Sequence, residues 1–574
     1  MKFPAKVYIK IQSLISDSKR APTLLARLGA VSLAAYVFST ILPAFIPGVG
    51  RDHFPPYLAL PEGGFSLSSY YLIYILICIN ALVLFGLYLA ALGVVSGKRV
   101  DEAPGQSVFP ERFGGTAGLI FTFSALFSVA MLINPLLLST DIFDYIRHGR
   151  IFAVYGENPL TVPATYFPGD PFFGVGGWVG TGSVYGPLHV YITAALTQVA
   201  GEGFTANFLL FKTFFISLNL LNLALIWKIA RRLKPGLENK AMLFYGWNPF
   251  ILVLVAANAH NDILMLTLVL GGILCALHSR YLLGAILIVL ASLVKFMALP
   301  ILLVYAALAI RKQATAVRGA ALGASIAIAS VALTVICYLP VWEGSHTFYY
   351  LTTVGQKTNF TMSSLMRDFA AEHVEFSLSN TLVQFTLLTA LGIYLVWHMI
   401  NIRDMDGLLS AAVGLSFLTP LVLFWFQPWY LTLVLGLVAL SPRRMMYRAT
   451  LLFSFSVMFF DSFWWHTPLS MDIQKPLRVM VVFGLPVAYL AYLKAREVMP
   501  GALGRLIAWS LAGNDSSHAN GRRVSDPSIG RLASELAALV VAAVIPMAVI
   551  VSASPQLRQL ADLLAVKLQL LTNL

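Results

Sequence analysis

From near residue 23 onward, long apolar runs alternate with short polar breaks. The runs lie at 23–46, 69–96, 115–138, 204–230, 241–257, 261–278, 281–294, 296–310, 316–339, 381–400, 408–426, 428–441, 447–461, 477–493 and 532–552. A membrane helix needs roughly 20 apolar residues, and fewer where protein covers one of its ends. The pattern therefore predicts an all-α polytopic membrane protein with a bundle of about 13–15 transmembrane helices, the shorter runs serving as half-helices. The run Leu188 to Ala200 follows Gly186-Pro187 and is too short to cross comfortably, so it reads as a short helix at the outer surface.

The same pattern divides the chain. A basic arm covers 1–21, and a membrane module covers 22–310 with a large loop at 139–203. A second transmembrane region covers 311–493 with a loop at 340–380. A polar Gly/Ser/Asn-rich loop follows at 494–531 and reads as disordered, then a last helix with an amphipathic tail at 532–574.

Composition agrees. Of 574 residues, 58% are hydrophobic and only 11% charged, and the mean hydropathy is +0.78. No single soluble core needs that much apolar surface. The net charge of +13 would suit nucleic acid, but the positives sit in short clusters between apolar runs, which is the pattern of cytoplasmic loops. With the N-terminus inside, the larger share of the 39 Lys and Arg falls on the cytoplasmic side. The loops 139–203 and 340–380, the break at Lys295 and the stretch 258–262 then share the outer face. Cys78, Cys275 and Cys337 lie within apolar runs without paired spacing and read as small core residues.

The candidate chemistry concentrates where polarity interrupts this pattern. Asp141, Asp144, Arg147, His148 and Arg150 follow directly on the run 115–138. Ionised groups in a bilayer are costly, about 2.5–3.5 kcal/mol each at a helix centre, and a chain that keeps four of them at its edge has a use for them. On a helix, Asp141, Asp144 and His148 share one face. Carboxylates beside arginines suit a reaction in which a base activates an alcohol and cations hold a phosphate. Tyr185 and His189 add flat, hydrogen-bonding surfaces for a sugar. A second cluster is Asn258, His260, Asn261 and Asp262, for which helix capping by Asn258 or Asn261 is the plainer alternative. Lys295 separates two half-length runs. The aromatic turns 425–430 and 463–466 read as interface belts, with an acceptor groove as the second reading.

The order Asp141-Ile-Phe-Asp-Tyr-Ile-Arg-His-Gly-Arg, Asn158-Pro159, Tyr185-Gly186-Pro187-Leu188, Asn258-Ala-His-Asn-Asp and Val294-Lys295-Phe296 resembles the GT-C glycosyltransferases. Among these it is most similar to the bacterial polyprenyl-phosphate-mannose-dependent α-1,6-mannosyltransferases, over roughly residues 115–310. The resemblance implies a multi-pass plasma-membrane enzyme with an extracytoplasmic site, a polyprenyl-phosphate sugar donor, a glycan or glycolipid acceptor, and a catalytic acid in the first large outer loop. By motif match that acid is Asp141, with Asp144 second because the family often has a non-acidic residue there.

A polyprenyl phosphate is a weakly basic leaving group, so one general base suffices and the two-carboxylate logic of most glycosidases is unnecessary. Inverting transfer with Asp141 as base is the expectation. Arg147, Arg150 and Lys295 are expected to hold the donor phosphate. His148, Tyr185, His189, Asn258, His260, Asn261 and Asp262 are expected to hold sugar and acceptor. No cofactor is obligatory on this reading, with a divalent Mg or Mn ion as the open addition. A lipid or sugar transporter, or a polysaccharide ligase-like transferase, is the alternative.

Overall fold

The structure, a computed structural model, describes residues 21–41, 67–96, 115–134, 139–356, 361–422, 426–441, 444–464, 475–476, 478–484 and 486–491. The expected arm before residue 21, the loop 494–531 and the last helix and tail at 532–574 lie outside these residues.

The chain is an all-α polytopic membrane protein. Its helices are α1 (Ala21–Ile41), α2 (Leu67–Ser96), α3 (Gly115–Leu132), α4 (Asp141–Ala153), α5 (Pro187–Ala200), α6 (Phe204–Leu233), α7 (Glu238–Gly246), α8 (Asp262–Leu277) and α9 (Tyr281–Val294). They continue as α10 (Leu299–Arg311), α11 (Ala316–Tyr338), α12 (Tyr349–Gln356), α13 (Met362–Ala371), α14 (Phe376–Asn401), α15 (Met405–Val422), α16 (Leu431–Leu440) and α17 (Arg444–Trp464). Among the described residues, six segments are long and apolar enough to cross a membrane, on α1, α2, α3, α6, α11 and α14. Shorter apolar helices include α8, α9 and α10, of which α8 is largely buried.

One apolar run departs from the single span predicted for 241–257. Helix α7 stops at Gly246, and a π-helical turn occupies Ile251–Ala256. Pro249 has no N–H to give and disfavours helical backbone at Asn248, so the helix breaks there. The freed groups are satisfied by side chains: Asn248 accepts from the Phe250 N–H at 3.0 Å, and the Phe244 and Gly246 carbonyls accept from Tyr88 at 2.7 Å and Ser124 at 3.3 Å.

Among the described residues two large apolar cores stand beside a small cluster of Leu160, Val190 and Val341. The larger is built from α1–α4, α6–α8, α16 and α17 with single faces of α9, α10 and α15, and the smaller joins the other faces of α9, α10 and α15 with α11 and α14. Leu293 belongs to the smaller core and Val294 to the larger, so α9 ends where they meet, immediately before Lys295. At the other approach to the site, buried Lys212 on α6 donates to the carbonyls of Met131 (2.9 Å) and Asn134 (3.3 Å). A cation on these carbonyls, the first of which also accepts from the Asn134 N–H at 3.2 Å, secures the end of α3.

Candidate active site

Helix α4 carries the acidic–basic motif, and every residue from Asp141 to Ile151 is buried. Its acids stand in the first turn and Arg150 in the last, the arrangement that the helix dipole favours. Two contacts fix its position. The Ser139 N–H donates to Asn258 Oδ1 at 3.2 Å, tying the entry of α4 to the segment before α8. Gly149 faces α5 so closely that a Cβ there would lie 2.5 Å from the Thr193 carbonyl oxygen.

Around Asp141 gather residues that are distant in sequence. The Tyr185 hydroxyl donates to Asp141 Oδ2 at 3.4 Å, and His260 Nδ1 stands 3.8 Å from the same oxygen. The His260 ring stacks on Trp429 with 3.8 Å between centroids, and neither ring nitrogen has a hydrogen-bond partner. His189 is fully buried and packs edge-on against both Tyr145 and Tyr185, at 4.7 and 4.8 Å.

Lys295 closes the opposite side. Its Nζ donates to both oxygens of Asp262 at 2.9 Å and lies over the rings of Tyr430 (4.3 Å) and Tyr185 (5.8 Å). Tyr185 therefore touches both Asp141 and the lysine. The Gly186 N–H donates to the Val294 carbonyl at 3.0 Å, holding this turn against the end of α9, and a Cβ on Gly186 would come within 2.1 Å of the Leu293 carbonyl oxygen.

Burial sets the protonation of this cluster. It pushes the Asp141 carboxyl up to about 6, opposed by hydrogen bonds from Ser139 and Tyr185 and by the charge of Lys295. Burial holds His260 and His189 well below the ordinary imidazole range, so both are neutral. A carboxyl that ionises near 6, beside neutral imidazoles and a buried ammonium, has the properties of a general base.

Comparison with known proteins follows the same residues. The family described as "Alpha-(1->6)-mannopyranosyltransferase, N-terminal domain" matches residues 28–311, which include Asp141, Tyr185, His260, Asp262 and Lys295. This stretch, close to half of the chain, is similar to that family's domain. The Corynebacterium glutamicum protein named "Alpha-(1->6)-mannopyranosyltransferase A" is 31% identical over 171 residues, 29% of this chain and 34% of that protein. A Mycolicibacterium smegmatis protein named "Probable alpha-(1->6)-mannopyranosyltransferase" is 31% identical over 156 residues, 26% of this chain and 27% of that protein. The chain thus aligns with about a third or less of the length of these relatives.

Within the matched residues 28–311, the remaining candidates divide. Asp141, Tyr185, His260, Asp262 and Lys295 converge, with His189 packed behind Tyr185. Asn258 serves the backbone, donating to the Val253 carbonyl at 2.7 Å besides accepting from Ser139. Neither Asn258 nor Asn261 caps α8 through its side chain; the Asn261 amide is buried without a hydrogen-bond partner. Asp144 forms an ion pair with Arg147 one turn along α4, and burial pushes its carboxyl up to about 7 against the pull of that arginine. His148 meets the Thr181 backbone, and burial with the neighbouring Arg147 charge pushes it down to about 3. Arg150 donates to Asp170 and to Glu202, each at 2.7 Å, so its guanidinium braces the loop. Among the described residues, no group of three or more His, Cys, Asp or Glu side chains is placed to hold a metal ion.

Trp429 and Tyr430 correct the reading of their turn as an interface belt. Trp429 is buried under His260, and Tyr430 is partly buried under Lys295. Tyr145, which the sequence did not single out, packs against Tyr185 and His189. Its position four residues after Asp141 on the same helix was the available signal.

Proposed function

We propose that this protein is an inverting mannosyltransferase that moves mannose from a polyprenyl-phosphate donor to a hydroxyl of a glycan or glycolipid acceptor at the outer face of the plasma membrane. What carries the reading is the meeting of Asp141, its carboxyl raised to about 6 by burial, with Tyr185, Lys295 and Asp262 in a family of α-1,6-mannopyranosyltransferases.

Asp141 takes the proton of the acceptor hydroxyl as that oxygen attacks the anomeric carbon. The bond from this carbon to the phosphate oxygen breaks, and polyprenyl phosphate departs with the electron pair. Its low basicity removes the need for an acid on the leaving group. Lys295, whose charge acts on Asp141, stabilises the departing phosphate. Asp262 orients the lysine, and Tyr185 orients the base. Arg147 and Arg150 are engaged with Asp144, Asp170 and Glu202, so they support the site from the far face of α4. Inversion at the anomeric carbon requires a β-linked donor for an α-linked product of the kind named for the relatives. The N-terminus is cytoplasmic on this reading, and the loop 139–203 faces outward. No metal is required for a monophosphate donor met by a lysine, although Mg or Mn could assist.

The test is incubation of the purified protein with polyprenyl-phosphate mannose and a manno-oligosaccharide. The protein should release polyprenyl phosphate and lengthen the oligosaccharide, and Asp141→Asn should do neither while remaining folded. Normal turnover by Asp141→Asn, or no release by the unaltered protein, overturns the proposal.

A further inference from the structure

Helix α13 has its polarity turned inside out. Ser363, Ser364 and Arg367 share one face and are buried, whereas Met366 and Phe369 lie on the opposite face and are 42% and 65% exposed. The buried polar groups are met within the protein. Thr361 Oγ1 accepts from the Ser364 N–H at 2.9 Å and Ser364 Oγ accepts from the Thr361 N–H at 3.1 Å, a capping box. Arg367 donates to Asp368 Oδ1 through Nε at 3.0 Å and Nη2 at 2.7 Å, and Lys475 pairs with the other carboxylate oxygen. The Arg367 guanidinium also lies 4.7 Å from the centre of the Phe376 ring. A helix bathed in water turns its apolar stripe inward; this one turns it outward, so the medium on that side is apolar.

The position of α13 says which medium that is. Ten residues span about 15 Å, too short to cross a bilayer. The helix packs against α14, which is long and apolar enough to cross, and the Ser379 hydroxyl in the first turn of α14 donates to the Arg367 carbonyl. It therefore lies level with the end of a membrane span. Exposed apolar surface resumes on α14 at Phe376, Leu378 and Leu382. The end of the span α11 is marked in the same way, by exposed Leu339 and Trp342 and then by Tyr349 at the start of α12. Trp and Tyr concentrate where a membrane meets water. This segment also packs on the loop 139–203. Asn158 donates to the Val341 carbonyl at 2.9 Å and to Glu343 at 2.8 Å, and a Cβ on Gly182 would lie 2.6 Å from the Tyr350 ring.

We infer that α13 lies in the plane of the membrane at the face that carries the loop 139–203, with Met366 and Phe369 sunk roughly 5–10 Å into the boundary between lipid headgroups and acyl chains. The partner is the lipid surface itself. Glu372, His373 and Glu375, exposed in the turn into α14, stay in the polar headgroup layer. The helix thereby ties the cover of the loop 139–203 to the membrane surface, whatever reaction the site performs.

Nitroxide labels placed by Phe369→Cys and, separately, by Glu372→Cys test this in the full-length protein, with Cys78, Cys275 and Cys337 replaced by serine and the protein reconstituted into phosphatidylcholine vesicles. Collision rates with oxygen, which concentrates in lipid, and with a water-soluble nickel chelate read the depth of each label. The oxygen-to-nickel ratio at Phe369 should exceed that at Glu372 by about fivefold or more. Equal ratios, or a higher ratio at Glu372, overturn the inference. A Phe369 label shielded from both reagents also overturns it, because a protein surface then covers that face. The unaltered protein supplies a second measurement should the cysteine replacements unfold it. Phosphatidylcholine with a diazirine in its acyl chain should crosslink to Met366 or Phe369 and not to Glu372; no adduct within residues 362–371 refutes the placement.

Discussion

Lys295 gives Asp262 a symmetrical pairing, with Nζ 2.9 Å from each carboxylate oxygen, in a site where the lysine is 6% exposed and the aspartate not at all. The two residues come from different breaks in the apolar pattern. They meet because α8 begins and α9 ends at the same level of the bundle.

Such a pair is costly to break from one side. Asp262→Ala leaves a buried ammonium without its counter-charge, and the expected loss of stability is about 3–5 kcal/mol. Lys295→Met leaves the carboxylate stranded with a similar loss. The double variant Asp262→Ala/Lys295→Met should regain most of that stability without regaining turnover. Thermal unfolding in detergent, run beside donor cleavage, measures both. A double variant that recovers activity would show that neither charge touches the donor.

The raised Asp141 carboxyl makes two linked predictions. A base must be ionised, so the transfer rate should rise tenfold per pH unit below about 6 and level off above it. Stability should run the other way. An aspartate that titrates near 3.8 unfolded and near 6 folded binds more protons in the folded state between those values, so its contribution falls as pH rises through that window. At neutral pH the buried charge costs on the order of 3 kcal/mol at most, and Asp141→Asn should unfold at a higher temperature than the unaltered protein while being inactive. A destabilised Asp141→Asn would mean that the carboxylate is held by contacts stronger than those described.

Tyr185→Phe separates hydrogen bonding from packing. The ring remains against His189 and Lys295, and only the donor to Asp141 is lost. Because that bond favours the charged carboxylate, its removal should move the midpoint of the pH–rate profile upward and lower the rate at pH 6 by roughly tenfold or less. His189→Phe, which keeps an edge-on ring behind Tyr185, should leave the midpoint in place. A profile unmoved by Tyr185→Phe refutes the contact as a determinant of the base.

Part of this site was legible in the sequence. Asp141 and Lys295 stood out because each interrupts an apolar run where ionisation is expensive, and the runs themselves foretold α8, α9 and α10. The break at Asn248-Pro249 did carry a local signal, the proline, but both flanks are equally apolar and the run is long enough to read as one helix. Arg150 read as a phosphate ligand because its partners lie 20 and 52 residues further on, and no local pattern announces such a pairing. Trp429 and Tyr430 misled for a related reason. An aromatic turn at a helix end suits a lipid interface as well as a buried wall, and only the position of His260 and Lys295 against it decides between them.

Gly186 offers the sharpest test of how the loop is registered against the bundle. Its backbone is extended at φ −72°, so an alanine would meet no conformational penalty, and any effect must come from space. The added methyl would fall 2.1 Å from the Leu293 carbonyl oxygen, which is main chain and cannot rotate away. The loop would have to retreat from α9, breaking the bond from the Gly186 N–H to Val294 and drawing Tyr185 off both Asp141 and Lys295. Gly186→Ala should therefore abolish transfer to the level of Asp141→Asn, while α4 and α5 stay packed through Gly149 and the protein still purifies as a monodisperse species. Gly180→Ala, on the same loop with nothing within 4 Å of its added methyl, should be fully active. If Gly186→Ala turns over like Gly180→Ala, the turn is not pinned to the end of α9, and the link between Tyr185 and Lys295 has to be abandoned.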